Sequence, residues 1–199
     1  MKLFRKIQKW FENQENLYYL FLIILIVPNI VLCFTEPMPL VAKVCNVLLP
    51  FSIYHMIMSW SGNCGKTFWI LFPFLFFGAF QIVLLYLFGQ SVIAVDMFLN
   101  LVTTNPGEAL ELLDNLIPAI IIVVLLYIPA LVLAAVAVSE KRRLSETFVR
   151  RERKRARITV IAGILSLVAA YLFDARYELK SDLYPANVCY CLLYTSPSP

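Results

Sequence analysis

The chain of 199 residues is 61% hydrophobic and only 15% charged, with a mean hydropathy of +0.78 and a formal net charge of +4. An average soluble domain carries about 25% charged residues. These values exclude a soluble globular enzyme and a disordered chain, and they fit an integral membrane protein.

A helix needs roughly 20 mostly apolar residues to cross the hydrocarbon core. From the amino terminus, five stretches qualify: residues 17–34, 40–60, 67–89, 116–138 and 158–173. The expected fold is therefore all-α integral membrane, with five transmembrane helices and a polar periplasmic loop between helices 3 and 4. Pro28, Pro50, Pro73, Pro118 and Pro129 fall inside the spans, where neighbouring helices can satisfy the backbone groups they free. The first span is not read as a cleavable signal peptide, because "CFTEPMP" offers no small-residue cleavage site.

Lys43 and the lone His55 lie in or near the second span, and a polar group there is a functional candidate by default. Lys43 is close enough to a helix end to snorkel, and a structural role is the expectation for both. The cysteines at 33, 45, 64, 189 and 191 show no metal-binding spacing, and Cys189 and Cys191 are too close for an easy disulfide.

Basic residues in short loops face the cytoplasm. Lys2, Arg5, Lys6 and Lys9 precede the first span, Lys66 follows the second, and "KRRLSETFVRRERKRAR" separates the fourth from the fifth. The amino terminus is therefore expected in the cytoplasm and the carboxyl terminus outside. The basic run is read as a helical cytoplasmic loop touching anionic headgroups, where each Lys or Arg contributes on the order of 1 kcal/mol. A nucleic-acid partner is not expected.

The same orientation puts residues 90–115 on the outer side. There "NLVTTNPGEALELLDN" holds Glu108, Glu111 and Asp114 and no Lys or Arg. On a continuous helix Asn100, Thr104 and Glu108 would share one stripe, but Pro106 disfavours helical geometry at Asn105. After a break, Asn105 suits an N-cap, Pro106 the first helical position and Glu108 the third, as in a capping box. That accounts for Asn105 and Glu108 but not for Asn100, Thr104 or the missing cations. The other reading is a junction that offers acceptors to a cationic lipid headgroup.

Asn-x3-Thr-x3-Glu-Ala at Asn100, Thr104, Glu108 and Ala109, with five spans and a polar loop in this position, resembles the membrane domain of the phosphoethanolamine transferases. That family includes lipid A modifying and colistin (polymyxin) resistance enzymes, and the resemblance covers about residues 10–190. It implies a Gram-negative inner-membrane protein with a membrane domain at 1–175 and, from 176 to 190, the start of a linker to a periplasmic sulfatase-like domain. There zinc would activate a threonine that takes phosphoethanolamine from phosphatidylethanolamine and passes it to lipid A or core oligosaccharide. Asn100, Thr104 and Glu108 would bind the donor lipid or the outer-leaflet lipid acceptor; no catalytic residue, metal ligand or cofactor is expected in this chain. "YELKSDLYPANVCY" resembles the family's exit from the membrane, whereas "CLLYTSPSP" at 191–199 is expected to be a non-native tail. A truncated, inactive fragment is the resulting expectation. A non-enzymatic lipid-binding protein, a transporter subunit or a sensor is the alternative.

Overall fold

The computed structural model describes residues 10–35, 39–76 and 106–173. All regular structure among them is helical: α1 (Gln14–Thr35), α2 (Leu40–Trp60), α3 (Cys64–Ile70), α4 (Pro106–Ser139) and α5 (Glu146–Phe173). α1, α2, α4 and α5 are long and apolar enough to cross a membrane. Of the expected third span only residues 67–76 are described. They comprise the end of α3, a turn at Leu71 and further helix at 72–76, the interruption sitting where Pro73 removes a backbone donor.

Two helices run past their apolar spans. α4 begins at Pro106, the first helical position expected after a break, so residues 106–115, outside the apolar span, form its first turns, and the helix totals 34 residues. At 1.5 Å per residue that is about 51 Å, well beyond a hydrocarbon core of roughly 30 Å. α5 begins at Glu146 rather than 158, so most of the basic run is its first three turns and the connection to α4 is short. Ser145 caps α5 by accepting from Phe148 N at 3.2 Å, and the Arg, Lys and Glu that follow are good helix formers. Hydropathy locates the hydrocarbon, whereas the backbone ladder continues into water.

The basic segments meet on one face. Leu144 N donates to Gly62 O at 2.8 Å, joining the α4–α5 connection to the α2–α3 connection. Arg142 Nη1 donates to Phe11 O at 3.4 Å, adding the start of the described chain. α1 and α5 thus begin at this basic face, and α2 and α4 end there.

α2 packs on α5 and α1, and α3 packs on α4. The contacts use small residues. Ala156, Gly163 and Ala170 recur at seven-residue intervals along the buried stripe of α5, and Ala130, Ala134 and Ala137 are buried on α4. A Cβ added at Gly65 would lie 2.5 Å from Ala134 O, and one at Gly163 2.7 Å from Ser52 Oγ. Lipid tails are as apolar as leucine, so helices associate in membranes by such close approach and by polar pairs. Large apolar side chains such as Leu125, Ile161 and Leu165 are correspondingly exposed.

Candidate functional site

Asn100 and Thr104 lie outside the described residues. Glu108 falls in the first turn of α4, three residues into the helix that Pro106 opens, and its side chain is likewise outside the description. α4 carries this turn at the end remote from the basic face.

Two polar clusters that hydropathy did not reveal join α2 to its neighbours. Near the basic face, His55 Nε2 lies 3.4 Å from Glu152 Oε2, with side chains 6% and 1% exposed. This is ion-pair range but off hydrogen-bond alignment. The other Glu152 oxygen accepts from Arg155 Nη1 at 2.8 Å and from Arg151 Nε at 3.3 Å. Arg155 Nη1 also reaches Tyr19 OH at 3.3 Å, and Arg151 extends to Glu15 at 3.8 Å. Tyr18 OH donates to His55 O, and the Thr159 hydroxyl lies against His55 Nδ1, both at 3.4 Å. A buried carboxylate is tolerated only when it is paired, and here the pairing ties α1, α2 and α5 together. The signal in the sequence was faint: Glu152 is the one acid between Phe148 and Arg157.

Toward the opposite face, Asn29 Nδ2 donates to Asn46 Oδ1 at 3.1 Å, and Asn46 Nδ2 donates to Asn29 O at 2.9 Å. This amide clamp holds α1 to α2 just after Pro28. Beside it a groove of about 470 Å³ is lined by Ile30, Cys33, Val47 and Phe51, with Lys43 at its edge. Lys43 thus sits in the first turn of α2 on the rim of an apolar surface, and His55 is a packing partner of Glu152.

Among the described residues Cys33, Cys45 and Cys64 form no disulfide. Burial pushes the Cys64 thiol up to about 11, so it is not a nucleophile near neutral pH. Among the described residues no three His, Cys, Asp or Glu side chains converge as metal ligands.

A family model described as phosphoethanolamine transferase EptA/EptB matches residues 70–193, more than half of the chain. The chain belongs to this family, by its amino-terminal membrane domain. The match spans Asn100, Thr104 and Glu108, all of α4 and α5, and continues through Tyr190. In this phosphoethanolamine transferase domain, Glu152 falls within the matched stretch while its partner His55 precedes it. No curated protein and no solved structure is matched by the chain.

Proposed function

We propose that this chain recruits phosphatidylethanolamine in the bacterial inner membrane. In this reading it presents the donor lipid, on the periplasmic side, for transfer of phosphoethanolamine to lipid A or core oligosaccharide. The observation that carries the proposal is the family match over residues 70–193, which contains Asn100, Thr104 and Glu108. A carboxylate attracts the headgroup ammonium, and an amide and a hydroxyl suit its phosphate and glycerol oxygens. Transfer itself we assign to a zinc-dependent, sulfatase-like periplasmic domain, as the resemblance to the phosphoethanolamine transferases implies.

The topology supports this orientation. The basic face would lie in the cytoplasm by the positive-inside rule. α1 and α5 begin at that face and α2 and α4 end there, in keeping with the expected cytoplasmic amino terminus.

Native mass spectrometry of the chain in mild detergent tests the reading, with phosphatidylethanolamine and phosphatidylcholine as probes. Phosphatidylethanolamine should be retained over phosphatidylcholine, whose quaternary ammonium donates no hydrogen bond. Glu108→Gln should reduce that preference about tenfold, the worth of one charge-assisted hydrogen bond. Equal retention of the two lipids, or an unchanged preference in the variant, overturns the assignment.

A further inference from the structure

At the basic face a second cavity, of about 370 Å³, lies between the α2–α3 connection and the start of α5. Trp60, Arg143, Glu146, Arg150 and Arg153 are among its lining residues. Three guanidinium groups against one carboxylate leave it cationic, and Glu146 already pairs with Arg150 at 3.3 Å. Arg143 is exposed and has no ion pair among the described residues. Arg153 is anchored by Nη2 to Ser59 O at 3.4 Å, yet its buried Nε finds no acceptor there. A buried donor left without an acceptor is costly, and a phosphate oxygen is the acceptor that suits a guanidinium.

The surroundings distinguish a lipid from a free anion. Trp60, 69% exposed, closes α2 at the cavity rim, the position tryptophan takes at a membrane interface. At 100° per residue Ile164 falls about 20° from Arg153 on α5 and Val168 about 60°. Both are exposed apolar side chains. A negative headgroup in the cavity would therefore have its acyl chains running down an apolar stripe of the same helix.

We infer that this cavity is a binding site for an anionic phospholipid of the leaflet bordering the basic face, with its phosphate held by Arg143, Arg150 and Arg153. The site is separate from the proposed donor-lipid junction, whose Glu108 lies in the first turn of α4, at the other end of that helix. A bound lipid here fastens the α2–α3 and α4–α5 connections to each other and to the membrane. Basic pockets between membrane helices on this side are suited to such headgroups.

The test uses the full chain in mild detergent, with phosphatidylglycerol and phosphatidylcholine as probes and native mass spectrometry as the readout. Wild type should retain phosphatidylglycerol in preference. Arg143→Gln with Arg150→Gln should lower that retention roughly thirtyfold. Lys66→Gln with Lys154→Gln, which removes the same charge elsewhere on the basic face, should lower it far less. Arg143→Gln alone disturbs no described ion pair, so it gives a folded variant in which retention should still fall several-fold. Equal losses in the two double variants would mean diffuse attraction and overturn the site. Displacement of phosphatidylglycerol by millimolar inorganic phosphate would make it a free-phosphate site and overturn the lipid assignment. Either failure leaves the phosphatidylethanolamine result untouched, because that comparison uses only zwitterionic lipids.

Discussion

Where α3 meets α4, Gly65 lies against Ala134 and Ala137, and the approach is to backbone. Where α2 meets α5, Gly163 lies against Ser52 and Leu49, and three turns nearer the basic face the buried Glu152 meets His55. Both pairs face the same difficulty, that apolar contact alone does not hold helices together in lipid. α3–α4 meets it with shape. α2–α5 adds charge, and charge fixes which helix end sits opposite which. The comparison separates two kinds of fragility: a contact made by backbone fails by steric exclusion, and one made by a buried pair fails by orphaning a partner.

The largest effect should come from Gly65→Ala. The new Cβ meets a carbonyl oxygen at 2.5 Å, and a helix backbone cannot rotate out of the way, so α3 and α4 must separate. We expect a loss of about 3 kcal/mol, the upper part of the overpacking range, read by SDS titration of the purified chain followed by circular dichroism. A loss no larger than that of a surface Gly62→Ala control, where a Cβ meets open space, would remove the steric half of the comparison.

Glu152→Gln should follow. Removing one partner of a buried pair costs about 3–5 kcal/mol, but Arg151 and Arg155 are 52% and 55% exposed and water can take over their solvation. About 2 kcal/mol is therefore the expectation. Combined with His55→Ala in a double-mutant cycle, the coupling should be about 1 kcal/mol. Additivity within the error of the titration would show that the His55 contact carries no energy and that the arginines alone hold Glu152.

Gly163→Ala sharpens the contrast with Gly65 by using the same substitution. Its Cβ would meet a hydroxyl at 2.7 Å. Ser52 Oγ, which donates to Leu49 O in the same helix, can turn away. The remaining contacts at 3.4 Å need only small shifts, and alanine recovers up to about 1 kcal/mol of helix propensity. The net change should stay within about 1 kcal/mol. A loss equal to that of Gly65→Ala would mean that α5 is held as rigidly as α3.

The same contrast explains what the sequence could disclose. The limits of α2 were read to the residue and those of α1 to within three, because hydrocarbon thickness sets the length of an apolar run. The apolar spans of α4 and α5 begin about ten residues inside their helices, because the charged or polar first turns, read as a capped start at Pro106 and a helical basic run, leave the hydrocarbon without leaving the helix. The partners of Gly65, Gly163 and His55 were not legible at all: hydropathy records each residue's preferred solvent and carries nothing about which helix lies beside it. At the candidate lipid junction, Pro106 as the first helical residue was legible from its fixed φ and missing donor. Asn100 and Thr104 lie outside the described residues.

The connection between these two helix pairs yields the smallest prediction. α4 ends with Lys141 at a φ of 52°, while Lys141 N donates to Val138 O and Arg142 N to Ala137 O. That bond pattern is the Schellman ending, whose left-handed position glycine usually fills. A lysine there carries about 1–2 kcal/mol of steric strain, and glycine would give back part of it through the greater entropy of the unfolded chain. Lys141→Gly should therefore stabilise by about 0.5–1 kcal/mol in the same SDS titration, whereas Lys141→Ala, which keeps the Cβ and loses the charge, should not. If both variants destabilise equally, the lysine ammonium outweighs the strain. The connection is then held by what its charge touches, which is how the α2–α5 contact is held.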